Sequence, residues 1–346
     1  MKTDFSVTNL PHPETPFEKQ VISFIQEWFD DSKTVKVQTS GSTGTPKIFE
    51  IEKIRMSYSA NKTCDILGLK EGDSTLLCLP VEYISGKMMV VRAIERKLNL
   101  VVKAPSINPL SNLNETIDFC AMSPLQVENS LDKIHWIKNI IIGGAAVSES
   151  LKNKIAENLD SKESKIKNHI FETYGMSETL SHIALKQIYP IAEEYFQVLN
   201  GVEISLDERG CLQIYASDLN AELLITNDLV ELKNDKEFRF LGRIDNVINS
   251  AGLKLHPEQL ENLIKKDIPN EVIFLGIEDV LLGQKLVLIM EGNKSEAIIH
   301  KLEKISYPSK NHQPKEVIFI EKIPRIPNGK VDRRELSKII DNRLKK

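Results

Sequence analysis

The chain has 346 residues, 41% of them hydrophobic and 27% charged, with 16 Gly and 15 Pro, a composition that excludes fibrous, collagenous and low-complexity proteins and leaves room for about two domains. The formal net charge of -4 provides no overall basic field for nucleic acid or an anionic membrane surface. Four cysteines, Cys64, Cys78, Cys120 and Cys211, lie far apart without zinc-type spacing, which favours reduced, buried thiols in a cytoplasmic protein over a disulfide framework or a metal site.

The N-terminal segment meets Pro11, Pro13, Glu14 and Pro16 before any apolar run of signal-peptide length. No stretch approaches the roughly 18 apolar residues of a membrane span, so a soluble, unexported chain is expected. Residues Phe17 to Phe29 read as a helix, with Val21, Phe24, Ile25 and Trp28 at helical spacing. An α/β alternation follows. Strands are expected over Thr75 to Leu79, Leu98 to Val102, Thr116 to Met122, Asn139 to Ile142 and His169 to Phe171. A helix is expected over Gly86 to Lys97, another starting at Ser123-Pro124, and a third capped by Ser148.

From Val202 to Leu241 the pattern becomes short strands joined by polar turns, which reads as a β subdomain over about 196–241. Beyond Gly242 the alternation resumes on a smaller scale. Helices are expected over Pro257 to Lys266, Ser295 to Lys304 and from near Asp332, where Glu335 completes a capping box. Strands are expected over Glu271 to Ile277, Lys285 to Met290 and Glu316 to Ile320. Charge divides at the same place: residues 246–346 carry 18 Lys and Arg against 14 Asp and Glu, net +4, leaving -8 for residues 1–245. The fold class expected is multi-domain α/β, with a large domain at 1–241, a joint at 242–245 and a small α+β domain at 246–346.

The chemistry begins at Thr39-Ser40-Gly41-Ser42-Thr43-Gly44-Thr45-Pro46-Lys47. Hydroxyls alternating with glycines and ending in a lysine suit a loop that wraps a polyphosphate, although a plain Ser/Gly linker has a similar composition. It is not a Walker A loop, because Pro46 precedes Lys47 and Ile48 follows it. Four later segments stand in order: Ile141-Ile142-Gly143-Gly144-Ala145 at a strand end, Tyr174-Gly175-Met176-Ser177-Glu178-Thr179, Thr226-Asn227-Asp228 with Gly242-Arg243-Ile244-Asp245, and Pro327-Asn328-Gly329-Lys330-Val331. A carboxylate such as Glu178 suits a hard divalent ion bridging phosphates. Asp228 is a natural acceptor for a vicinal diol.

Taken together and in this order, the five segments resemble the adenylate-forming enzymes, which include acyl- and aryl-CoA synthetases, peptide-synthetase adenylation domains and luciferases. Within them, Leu79-Pro80-Val81-Glu82-Tyr83-Ile84-Ser85-Gly86 is similar to the o-succinylbenzoate–CoA ligases of menaquinone biosynthesis. The resemblance runs from about Thr39 to Leu336. It implies ATP, Mg²⁺ and coenzyme A as reactants, with Ser40, Gly41, Ser42, Thr43, Gly44 and Lys47 around the phosphates and Thr43 and Thr179 donating to them. Tyr174 would stack on adenine beside Gly144, Ala145 and Gly175; Glu178 would hold Mg²⁺; Asp228 and Arg243 would hold the ribose. Lys330 would bridge the acyl carboxylate and the α-phosphate. Asp245 would be the pivot of a mobile C-terminal lid, with Gly252 and Lys254 entering the coenzyme A tunnel.

For the acyl pocket, Tyr83 and Gly86 line it by the same resemblance, and Lys87 and Arg92 are the nearby cations for a dianionic acid, with a solvated helix face as their alternative. Asn227 departs from the glycine usual before the ribose aspartate, and Tyr83 stands where relatives often carry His or another aromatic that gates the acyl pocket. The seven His show no catalytic spacing. The nucleotide loop begins unusually early, so a shortened first subdomain is expected, leaving an open pocket or one completed in a homodimer. The competing readings are another aryl or fatty acid–CoA ligase, an enzyme loading a carrier protein, and a non-catalytic nucleotide-binding relative. No nucleic acid or membrane partner is expected.

Overall fold

The computed structural model describes residues 2–3, 12–38, 48–162, 166–325 and 331–344. After β1 (Lys2–Thr3), α1 (Pro16–Trp28) starts on a capping box in which Thr15 Oγ1 accepts from Glu18 N–H and the Glu18 carboxylate accepts from Thr15 N–H. Its apolar stripe, Val21, Phe24, Ile25 and Trp28, is buried as its spacing requires. The strands β2 (Thr34–Gln38) and β3 (Ile48–Glu52) pair antiparallel. Helix α2 (Lys53–Ile66) follows; hydrophobic periodicity does not mark it because its buried face is Met56, Ser59, Ala60, Thr63 and Cys64, mostly small or polar.

The expected alternation then runs through β4 (Ser74–Leu77), α3 (Ile84–Glu95), β5 (Asn99–Val102), β6 (Ile117–Met122), α4 (Pro124–Glu128), β7 (Ile137–Ile142), α5 (Glu149–Asp160) and β8 (His169–Gly175). Ser123 and Ser148 cap α4 and α5 as expected. Strands β5, β4, β6, β7 and β8 lie side by side and parallel. Their near-continuous apolar runs follow from burial on both faces. Leu77, Phe119, Ala121 and Ile141 enter one core, while their neighbours Leu76, Cys120, Ile140 and Ile142 enter a second.

Strands β9 (His182–Tyr189), β10 (Phe196–Val198), β11 (Glu203–Leu206), β12 (Cys211–Ala216), β13 (Asn220–Leu232) and β14 (Glu237–Arg243) are antiparallel neighbours. Hydrogen bonding is continuous from the parallel half, because β9 pairs with β8 along most of its length. One twelve-stranded path results, in the order β1-β5-β4-β6-β7-β8-β9-β10-β14-β13-β12-β11. The β region is thus an extension of the large sheet and not a sheet of its own.

The remaining elements are β15 (Ile248–Ser250), β16 (Leu253–Leu255), α6 (Pro257–Lys265), β17 (Val272–Asp279), β18 (Gly283–Glu291), α7 (Glu296–Glu303), β19 (Glu316–Ile320) and α8 (Arg333–Leu344). They form a second sheet, β16-β15-β18-β17, with β19 parallel to β18. Two separate apolar clusters fill it. Asp332 Oδ1 accepts from Glu335 N–H at 3.0 Å at the start of α8. Among the described residues no helix is long and apolar enough to cross a membrane, and the four cysteines are buried and free.

Candidate active site

Parallel strands place their carboxyl ends along one sheet edge, where open α/β sheets hold ligands. Two of the motifs leave the sheet side by side there. Beyond β7, Gly143 packs so closely that a Cβ would come 2.6 Å from Thr173 Oγ1 on β8, and Gly144 turns the chain at φ +85. Gly144 and Ala145 are exposed, leaving backbone open next to Tyr174. Gly175 closes β8 under a tight constraint: a Cβ would lie 2.3 Å from the Ser181 carbonyl oxygen.

Tyr174 is half-buried in an aromatic cluster, edge-on to Phe238 at 5.0 Å between ring centroids. Its hydroxyl donates to Asp228 Oδ2 at 2.5 Å, and Arg243 Nη1 reaches Asp228 Oδ1 at 3.3 Å. Burial, and then the Asp228 charge, push the Tyr174 phenol far above its ordinary range, so it stays a donor. Asp228 and Arg243 face each other because β13 and β14 pair in that register. Three residues that the resemblance groups around a nucleoside therefore do meet, although 54 positions separate Tyr174 from Asp228.

Glu178 lies exposed on a short turn, Ser177–Thr179, and among the described residues its carboxylate has no hydrogen-bond or ion-pair partner. Among the described residues no group of three or more His, Cys, Asp or Glu is arranged for a metal ion. One accessible carboxylate fits a magnesium ion that draws its other ligands from phosphates and water. Thr179 differs from the expectation of an outward phosphate donor: it is fully buried, and its hydroxyl accepts from Met176 N–H and donates within its own turn.

The phosphate-loop residues Ser40, Gly41, Ser42, Thr43, Gly44 and Lys47, and the lysine Lys330, lie outside the described residues. Gln38, at the end of β2, forms a parallel bridge to Tyr83. Tyr83 is half-buried, and Gly86 behind it is required by packing, since a Cβ there would lie 2.2 Å from the Pro80 carbonyl oxygen.

Lys87 and Arg92, the two candidate cations for the acyl pocket, correct the alternative of a solvated helix face. Both are buried, and five residues along α3 turn them to different neighbours. Lys87 Nζ sits 4.0 Å from the Phe24 ring centroid and 3.6 Å from Glu27. Arg92 is 2% exposed and donates to Ser181 Oγ at 2.9 Å and to Met89 Sδ at 3.7 Å, leaving Nε unpaired. Burial pushes its pKa down to about 10. No carboxylate pairs with it among the described residues.

Ser181 contacts Arg92 and His182 lies beside it, neighbours that the sequence does not signal, since neither spacing nor motif singles them out. The buried His182 ring lies 3.2 Å from Thr63 Oγ1 and 3.3 Å from Ser181 Oγ. Burial first, and then the Arg92 charge, hold its pKa well below the ordinary 6.5.

Asp245, in the turn after β14, accepts from Arg243 Nη2 at 3.0 Å and from Asn227 Nδ2 at 3.2 Å and 3.3 Å. The Arg243 bond holds its carboxyl below the usual range. Ala251 and Gly252 make the two-residue turn between β15 and β16, both at positive φ (51 and 77), as the right-handed strand twist demands. Gly252 and Lys254 are exposed.

No family model matches the chain. An acyl-CoA synthetase (AMP-forming)/AMP-acid ligase II-like protein from Dyadobacter fermentans, of known crystal structure, is 34% identical, with 96% of this chain and 97% of that one covered and a TM-score of 0.64. A 2-succinylbenzoate–CoA ligase of Lactococcus lactis is 24% identical over 341 residues, 91% of this chain and 73% of its own length. The O-succinylbenzoate coenzyme A synthetase of Bacillus subtilis, solved in complex with ATP and magnesium ion, has the same fold at 20% identity, with a TM-score of 0.72 over 87% of this chain and 69% of that one. A relative 34% identical along almost the whole of both chains, together with the ordered motifs and the Tyr174–Asp228–Arg243 cluster, shows that the chain belongs to the AMP-forming acyl-CoA synthetases.

Proposed function

We propose that this protein is an ATP-dependent acid–thiol ligase whose acid is a dianion of the o-succinylbenzoate type. In the first half-reaction a carboxylate oxygen attacks the α-phosphorus of ATP and the bond to pyrophosphate breaks. In the second, the coenzyme A thiol loses its proton, its sulfur attacks the acyl carbon, and AMP leaves.

Asp228 and Arg243 hold the ribose, and Tyr174 orients Asp228 while offering its ring to adenine beside Gly144, Ala145 and Gly175. Residues Ser40 to Gly44 and Lys47 embrace the phosphates. Lys330 meets the negative charge that builds between acyl carboxylate and α-phosphate. A magnesium ion held by Glu178 would neutralise phosphate charge when bound. The second sheet, residues 246–346, serves as a lid that turns about Asp245, with residues 242–245 as the joint, and brings Gly252 and Lys254 to the acyl adenylate. Four free buried cysteines suit a cytoplasmic setting.

The observation that carries the choice of acid is Arg92. A buried guanidinium with only a hydroxyl and a thioether for company costs on the order of several kcal/mol, and a second carboxylate on the substrate would offset that cost. Tyr83, half-buried and bridged to Gln38 at the end of β2, caps the start of α3, the helix that carries Arg92.

AMP release measured with o-succinylbenzoate, ATP, Mg²⁺ and coenzyme A, against a panel of monocarboxylates, tests both levels. The expected result is turnover that requires all four components and prefers the dianion. Turnover with monocarboxylates alone would refute the assigned acid, and absence of ATP–pyrophosphate exchange with every acid would refute the ligase.

A further inference from the structure

Asn227 occupies a position where a glycine is the expected neighbour of Asp228, and the structure gives it a defined set of partners. Its Nδ2 group donates to both carboxylate oxygens of Asp245, at 3.2 Å and 3.3 Å. Its Oδ1 accepts from Arg209 Nη1 at 3.0 Å. Arg209 is itself fixed, with Nη2 donating to the Thr226 carbonyl at 3.0 Å and Nε to Asp207 Oδ2 at 2.8 Å. A cation on one side and an anion on the other orient the amide, because only its oxygen can face a guanidinium and only its NH₂ a carboxylate.

The other side of the joint belongs to the second sheet. Glu258 on α6 accepts from Asn246 Nδ2 at 2.5 Å, and a Cβ on Gly242 would lie 2.5 Å from Glu258 Oε2. The segment 242–246 is therefore paired to β13 at Gly242 and Arg243, bonded to β13 at Asp245, closely approached by Glu258 at Gly242 and bonded to Glu258 at Asn246. In this arrangement Ala251, Gly252, Leu253 and Lys254 at the tip of the β15–β16 hairpin are all exposed to solvent.

We propose that Asn227 is a positioning residue that latches Asp245 to the large sheet, holding the small domain in this orientation, so that the latch must open before the hairpin at 250–254 reaches the acyl adenylate. The proposal rests on Asp245 as the pivot and goes beyond it, since it assigns the resting orientation to a side chain of the large domain. Glu258 ties Asn246 to α6, so rotation about Asp245 carries Asn246 with the small domain and has to break the Asn227–Asp245 bonds along with the packing of α6 against β14. Domain motions of this kind set many turnover rates.

The test measures the two half-reactions separately in the full chain, ATP–pyrophosphate exchange for the first and thioester formation from supplied acyl adenylate for the second. With one exposed hydrogen-bonded contact removed, Asn227→Ala is expected to speed the second step about fivefold and to leave exchange within about twofold, with an unchanged thermal midpoint. Asn227→Asp sets a carboxylate against Asp245 and is expected to speed it at least as much, the gain shrinking as salt is added. Unchanged half-reactions in both variants, or equal changes in both steps, would overturn the latch. Asp245→Pro separates the two ideas: a normal thioester step in that variant removes the pivot itself, whereas a lost step alongside inert Asn227 variants removes only the latch.

Discussion

The Tyr174 hydroxyl donates to Asp228 Oδ2 across 2.5 Å, tying the end of β8 to β13 at the sheet edge where Gly144 leaves its backbone open. One carboxylate oxygen is thereby engaged, while Oδ1 faces Arg243 at 3.3 Å. The carboxylate is oriented before any nucleoside arrives.

Replacing Tyr174 by Phe keeps the packing on Phe238 and removes the donor. The KM for ATP is expected to rise about three- to tenfold, the worth of one hydrogen bond to a charged group, while Asp228→Ala raises it further. Steady-state kinetics at saturating acid and coenzyme A measure this, and an unchanged KM in both variants would remove the ribose assignment.

Lys330→Ala is expected to lower ATP–pyrophosphate exchange by about 10²–10³-fold and to spare thioester formation from supplied acyl adenylate. Asp245→Pro reverses the pattern, with the second step lost. Equal loss of both steps in the lysine variant contradicts its role in adenylation.

Arg92→Met exchanges a buried charge for an unbranched apolar side chain that matches the arginine stem. Urea unfolding is expected to show a protein as stable as the original or more stable by about 1–4 kcal/mol, because no carboxylate among the described residues pairs with the guanidinium. The KM for the dianionic acid is expected to rise at least about tenfold, with monocarboxylates little affected. A loss of stability with unaltered acid preference would make Arg92 a packing residue.

His182 gives stability a pH signature. Burial, and then Arg92, depress its pKa well below 6.5, so the fold favours the neutral ring. Its contribution is complete above the unfolded value near 6.5 and is lost as pH falls from there toward the folded value. The urea midpoint is expected to drop between about pH 7 and pH 5, and His182→Gln to flatten that slope. Parallel pH profiles for the two proteins would show that the ring does not titrate on unfolding.

The second sheet and most of the alternating elements were legible because their signals are local. Ser123 and Ser148 bond to backbone three residues ahead, and the β4–β8 strands carry the apolar runs that two-sided burial demands. Helix α2 escaped because its buried face is small and polar, so no apolar stripe marks it. The continuity of the twelve strands escaped for another reason: the β8–β9 pairing is a contact between segments whose turn looks like any other.

By itself, then, the sequence determined the order of the motifs, the family they point to and the candidates for a nucleoside site, since each motif is read from a few adjacent positions. Only the tertiary structure decided that Tyr174 is a donor to Asp228, that Thr179 turns its hydroxyl inward, that Lys87 and Arg92 part company, and that Asn227 grips Asp245. Those relationships depend on strand register and helix facing, which bring together side chains as far as 89 positions apart, as with Arg92 and Ser181, and no short-range pattern encodes such a distance.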